Sequence, residues 1–338
     1  MNCRTEIPVI LSALLIFLPL VSGTVLGMDW IRYQGNPVLT RSLDGWDNQG
    51  ISAAYIIREG ELYRLWYSAT GPDGSGIGTA ESADGLSWVK SSHNPLLVTG
   101  PEEYDSNFIF APTVLSDGDG YKMWYTGSNG SNVWMICLAT SNDGIWWDKH
   151  PVNPVMEPGE WFDGERIGDP WVIHDEGIYK MWYTCQNRPE IVYGIAYATS
   201  PDGVSWTKHT EPVLLASGDG PDSGTVRDPS VLRTDRGYEM WYRGIGESLE
   251  WTVCYATSAD GITWTRYPEN PVLRGDPGSW DERIWFPRVL AEEGRYSMWY
   301  TSADDDEIGY AYLPIGQCFT IAAGLAIFIR IISMHLKQ

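Results

Sequence analysis

Short stretches of alternating apolar and polar residues run along most of the chain, and one of them keeps returning. Tyr121-Lys122-Met123-Trp124-Tyr125 recurs unchanged at 179–183, as YEMWY at 238–242, as YSMWY at 296–300 and, loosened, as YRLWY at 63–67. In an extended chain successive side chains point to opposite faces, so the two Tyr and the Met share one face and the Trp takes the other. Both faces are apolar, which predicts a strand covered on both sides, as between stacked sheets. The Trp falls at 66, 124, 182, 241 and 299, in steps of 58, 58, 59 and 58. A fixed period of this size marks a repeat architecture.

Each unit keeps one internal order. A turn opens it, at Asn36-Pro37, Asn94-Pro95, Asn153-Pro154, Glu211-Pro212 and Asn270-Pro271. An aspartate follows at 47, 105, 163, 222 or 281, and then an apolar stretch: AAYII, APTVL, DPWVI, DPSVL or FPRVL. An acidic-Gly turn leads into the pentapeptide, a variable loop and a second apolar run such as IAYATS. Four units close with S-x-D-G-x-x-W, ending at Trp88, Trp147, Trp206 and Trp264. Short β-branched or aromatic runs bounded by Gly, Asp, Asn and Pro are strand and turn signals. The predicted fold is all-β, a five-bladed β-propeller of four-stranded antiparallel blades, with the pentapeptide as the second strand of each. The fifth unit lacks its D-G-x-x-W strand, and MDWIRYQGNPVL near the N-terminus offers Trp30 in its place. A strand around Trp30–Tyr33 is therefore expected to pair with one around Ile308–Tyr312, which leaves no free sheet edge.

The two ends read differently. An apolar run over 7–21 follows Arg4 and precedes small residues at Ser22, Gly23 and Gly27, which predicts a signal peptide over 1–27. Residues 315–338 are apolar enough to predict a C-terminal helix that spans a membrane, with Arg330, His335 and Lys337 near its end. The predicted organisation is signal peptide 1–27, propeller 28–314 and transmembrane anchor 315–338. The predicted location is secreted or on the extracellular face, and the predicted state is a monomer.

Composition narrows the partners. The formal charge of −21 argues against nucleic acid or an anionic membrane surface as the main partner. Eighteen Trp and nineteen Tyr against seven Phe suit a packed core and also the binding of sugars, since these rings pair a flat apolar face with a polar edge. Cys137, Cys185 and Cys254 lie in the body with no C-x-x-C, so buried free thiols are expected rather than a zinc site or a disulfide framework. No metal or other cofactor is predicted.

In such blades the loops between second and third strands share one face with the connections between blades. These loops, at 68–76, 127–134, 185–191, 244–251 and 302–307, vary in sequence, and variable loops on a rigid scaffold carry function. Aligned on Asp-Pro, the inner strands place Ala53, Ala111, Asp169, Asp228 and Phe286 in one ring. A structural aspartate would recur in all five units; Asp169 and Asp228 do not. Two carboxyls there suit acid and base work on a glycosidic bond. The alternative is that each pairs with Arg166, Arg227 or Arg288 and holds the blades in register. Glu165 and Glu282, from two copies of Glu-Arg-Ile, are further acid candidates, with a loop salt bridge as the alternative. Trp134, Trp171, Trp251 and Trp285 fall outside the repeat and are candidate stacking platforms, with core packing as the alternative. The recurring aspartates, including Asp84, Asp143, Asp202 and Asp260, are read as turn and capping chemistry.

Over about residues 28–314 the chain resembles the five-bladed propeller glycoside hydrolases, families 43, 32, 62 and 68, and the related mannoside phosphorylases of family 130. The resemblance rests on APTVL, GDPWVI, VRDPSVL and S-x-D-G-x-x-W. It implies that Ala111-Pro112 matches the blade 2 Ala-Pro of family 43 and that Asp169 is its blade 3 pKa modulator. Asp228 stands where that family has its general acid, as Asp rather than Glu, and Arg227-Asp228 matches the Arg-Asp-Pro of family 32. The blade 1 base position is Ala53, a departure that removes the expected base. The functional expectation is an extracellular carbohydrate-active protein, a glycoside hydrolase-like enzyme with axial carboxylates. The alternative is a non-catalytic propeller that binds glycan or another surface partner.

Overall fold

The computed structural model describes residues 28–315 other than 102, 117, 119, 189–191, 304 and 305. The predicted signal peptide and all of the predicted anchor beyond Ile315 lie outside the described residues. Among the described residues no helix is long and apolar enough to cross a membrane.

Five four-stranded antiparallel blades surround an axis. In blade 1 the order from the axis outward is Gly50–Glu59, Leu62–Gly71, Gly74–Ser82 and Val89–Lys90. The other inner strands are Phe108–Ser116, Arg166–Asp175, Thr225–Thr234 and Ile284–Glu292. The pentapeptides form second strands, as expected. Closure is also as expected: Ile31 pairs with Tyr312 and Arg32 with Ala311, so the N-terminal strand completes blade 5.

The recurring residues explain themselves in contacts. All five pentapeptide Trp are at most 1 % exposed. Four of them donate their indole N–H to the Gly carbonyl of the D-G turn one blade on: Trp66 to Gly144, Trp124 to Gly203, Trp182 to Gly261 and Trp299 to Gly85, at 2.8–3.3 Å. Trp241 faces blade 5, which has no D-G turn. Trp30 meets it edge-on with centroids 6.3 Å apart, and the indole nitrogens of both stay buried without a partner. The Asn of the opening turn brackets one residue of the third strand with its amide, as Asn94 does Thr79 at 2.8 and 2.9 Å. Asn36, Asn153 and Asn270 repeat this on Tyr310, Leu138 and Tyr255.

The recurring aspartates divide into two kinds. Asp84, Asp143, Asp202 and Asp260 cap turns as read from sequence; Asp84 Oδ1, for example, accepts the N–H of Leu86 and Ser87. Asp47, Asp105, Asp163, Asp222 and Asp281 instead sit at 0–2 % exposure, so the turn reading of these five is corrected. Each accepts the hydroxyl of the pentapeptide's last Tyr (67, 125, 183, 242, 300). Each also pairs with a cation from the fourth strand: Lys90, Lys149, Lys208, Arg266 or Arg32, at 2.5–2.9 Å. They fasten the interblade connection to the second and fourth strands. In blade 5 the cation comes from the closing strand, so closure is ionic as well as hydrogen-bonded. Cys137, Cys185 and Cys254 are buried free thiols, as expected.

Candidate functional site

Ala53, Ala111, Asp169, Asp228 and Phe286 form the predicted ring, and all five adopt left-handed backbone, with φ between 48° and 55°. Non-glycine residues avoid this region, so something must hold them there. Each sits at a register shift in its inner strand, a bulge that turns its N–H out of the ladder. In four cases a Ser or Thr just after the preceding blade's pentapeptide accepts that N–H. Thr301 takes Ala53 (3.1 Å), Ser68 takes Ala111 (2.8 Å), Thr126 takes Asp169 (2.9 Å) and Thr184 takes Asp228 (3.2 Å). Blade 4 carries Arg243 at that position. The N–H of Phe286 goes instead to Asp228 Oδ2, at 3.5 Å.

Arg243 is the residue that sequence reasoning missed. Its Nε lies 2.9 Å from Asp228 Oδ2, with both side chains almost wholly buried. Its guanidinium packs on the rings of Trp251 (4.7 Å) and Trp285 (5.4 Å). Asp169 pairs more loosely with Arg227, at 3.5 Å. Burial pushes the Asp228 pKa up, and the neighbouring Asp169 carboxylate pushes it further, against the attraction of Arg243. The same burial lowers Arg243 to about 10.

The other sequence candidates scatter. Arg288 is buried, donates to Pro229 O at 3.0 Å and stacks on Trp171, so it binds the blades rather than an aspartate. Trp171 is core: it is 4 % exposed and its indole donates to Val231 O at 2.7 Å. Arg166 pairs across to Trp134 and lies over its ring at 4.9 Å. Arg227 covers the same ring at 5.4 Å. Glu165 is held by Arg188 and Gln186. Glu282 accepts the N–H of Gly278 in its own loop.

A cavity of about 460 Å³ opens over the ring on the predicted face, between blades 1, 2 and 5. Phe108, Phe110, Trp134, Trp285 and Phe286 supply rings, and Gln49, Ser52, Ser68, Thr70 and Ser75 supply polar groups. Its one lining carboxylate among the described residues is Asp306, from the fifth variable loop. Asp169 and Asp228 do not line it; both are 0 % exposed, on the blade 3 and blade 4 side of the ring. A larger cavity, about 920 Å³, lies on the outer rim of blade 2 beside Tyr104 and His150. The axial cavity is assigned as the site because rings and hydroxyls from three blades converge there, where the repeat is broken.

Ring faces beside hydroxyls and one carboxylate can hold a sugar, with C–H faces on the rings and hydroxyls on the polar groups. Residues 55–193 match the glycosyl hydrolases family 32 N-terminal domain. The chain resembles the five-bladed propeller glycoside hydrolases. It is 29 % identical over 266 residues to an uncharacterized protein of Mycobacterium tuberculosis (strain H37Rv), covering 75 % of this chain and 87 % of that one. It is 29 % identical over 132 residues to a beta-1,2-mannobiose phosphorylase of Thermoanaerobacter sp. (strain X514), covering 35 % and 42 %. A solved structure from the family 130 mannoside phosphorylases, a family containing glycoside hydrolases that target beta-1,2 mannosidic linkages in Candida mannan, superposes with a TM-score of 0.68. That match has 17 % identity and covers 84 % of this chain and 93 % of the other.

Proposed function

We propose that the protein binds carbohydrate in the axial cavity and does not use Asp169 and Asp228 as a hydrolytic acid and base. The observation that carries this is the burial of both aspartates in arginine pairs, with Asp306 as the lining carboxylate. Glycoside hydrolysis needs two carboxyls flanking the bond, about 5–5.5 Å apart for retention and about 6.5–9.5 Å for inversion. A pair with no exposed surface cannot flank a sugar. The cluster instead supports the site from the blade 3 and blade 4 side, since Arg243 stiffens Trp251 and Trp285. A secreted or surface-held location, read from 1–27 and 315–338, belongs to the same proposal. Pro314 pairs with Arg295 at the end of blade 5 away from the cavity, so a chain anchored beyond Ile315 would present the cavity outward.

The test is calorimetric titration of the full chain with β-1,2-mannobiose and with sucrose, alongside an assay for released monosaccharide. Saturable binding of one sugar without turnover is expected. Trp285→Ala should weaken that binding about tenfold, the scale of one lost aromatic platform. Release of monosaccharide that Asp228→Asn abolishes, with folding unchanged, would sink the proposal.

A further inference from the structure

We propose that the outer edge of blade 2, on the face opposite the cavity, carries a second carbohydrate-binding site built on Trp146. The proposal rests on the carbohydrate reading above and adds a place that reading does not use. The residue before the final Trp of S-x-D-G-x-x-W is Ser87, Trp146, Ser205 or Thr263. The hydroxyls of Ser87 and Thr263 turn back onto their own turn's aspartate, at 3.1 and 3.2 Å. The turn therefore has no need of an aromatic ring. Trp146 makes the shared backbone contact, N–H to Asp143 Oδ1 at 2.9 Å, and its indole is left to do something else.

That indole is 68 % exposed. It is nonetheless held: His93 of blade 1 packs against it edge-on, with centroids 5.6 Å apart and an interplanar angle of 75°. Beside it is a recess of about 240 Å³, whose other walls are Thr140, Ser141, Asn142, Asp143 and Asp148. Among the described residues the side chains of Asn142 and Asp148 make no hydrogen bond or ion pair. The backbone N–H groups of Trp146 and Ile145 hold the Asp143 carboxyl below its ordinary range, so it stays an acceptor.

An oriented ring face next to an unpaired amide and two carboxylates suits a pyranose. Its C–H face stacks on the indole and its hydroxyls donate to the carboxylates. A protein partner would want a continuous apolar patch, and the walls here are polar. The third strand of blade 2 runs from Trp134 at the cavity to Ser141 at the recess, roughly 23 Å at about 3.3 Å per residue. Two sites so far apart on opposite faces do not share one sugar. The second site would hold the protein on a polymer, which raises the local concentration of further chains for the cavity.

The experiment is affinity electrophoresis of the full-length protein through gels containing yeast mannan or dextran, both pyranose polymers, with the short sugars measured by calorimetry in parallel. Trp146→Ala should weaken polymer binding about tenfold and leave binding of β-1,2-mannobiose and sucrose unchanged. Trp146→Phe should keep most of the polymer binding. Trp285→Ala should do the reverse of Trp146→Ala on the short sugars. Polymer binding that depends on Trp146 without any short-sugar binding would support this site while removing the cavity reading. Equal migration of wild type and Trp146→Ala, equal loss in the Ala and Phe variants, or no retardation of wild type by either polymer would overturn it.

Discussion

Arg243→Thr would give blade 4 the hydroxyl that the other four blades carry, and yet it should destabilise the protein. The Arg243–Asp228 pair has its closest approach at 2.9 Å, with side-chain exposures of 4 % and 0 %. Removing one partner of a buried pair leaves the other charged and unpaired, at about 3–5 kcal/mol. For a chain of this length that lowers Tm by roughly 6–10 °C, at about 2 °C per kcal/mol. Asp228→Ala should cost a similar amount by stranding Arg243. The double variant should cost less than either single one, because blades 5 and 1 already contain its arrangement. There Thr301 accepts the N–H of Ala53, whose φ is 49°. In the double variant a Thr at 243 would accept the N–H of Phe286, and an Ala at 228 would keep the left-handed backbone. Urea unfolding of the four proteins gives the coupling energy, expected to be at least about 3 kcal/mol. A double variant as unstable as the sum of the singles would refute the idea that Asp228 and Arg243 together replace the Ala–Thr contact.

The closing strand gives a second prediction. Arg32→Ala removes the cation from Asp281, and because Arg32 is 33 % exposed the cost is about 1–2 kcal/mol rather than the full buried-pair value. Hydrogen exchange should quicken over 308–314 while 166–175 stays protected; uniform protection would count against ionic closure. The D-G turns predict acid sensitivity. Backbone N–H groups, led by those of Ser87, Ser205 and Thr263, hold Asp84, Asp202 and Asp260 at about 2 against an ordinary 3.8. Because these pKa values are depressed by folding, their stabilisation is complete above about pH 4 and is lost as pH falls through about 2. Asp84→Asn should flatten that part of a Tm-against-pH profile, and an unchanged slope would contradict the assignment.

The repeat made the architecture legible. A 58-residue period with apolar alternation fixes strand number, blade number and the identity of the second strand, because each property is local or recurs five times. Closure was legible for the same reason: one unit lacked a strand and the N-terminus held a spare. The ring was legible because the inner strands align on Asp-Pro, and the break in the repeat marks Asp169 and Asp228 within it. The residue after the pentapeptide, Ser68, Thr126, Thr184, Arg243 or Thr301, breaks its pattern in the same way at Arg243. Asp306 had no such signal, since its loop aligns with nothing.

Tertiary structure decided what these residues do. Sequence alone determined that Asp169 and Asp228 are exceptions to the repeat, but not whether they face solvent or arginine. That depends on which side chains from adjacent blades meet at the axis, and blade packing sets those distances. It likewise determined that Asp47 and its counterparts are structural. Only the fold shows that their partners, a Tyr some 20 residues later and a cation some 40 residues later (for Asp281, Arg32 from the other end of the propeller), make them buried ion pairs rather than turn caps. Burial makes the difference, because a carboxylate removed from water must find its charge partner wherever the chain brings one.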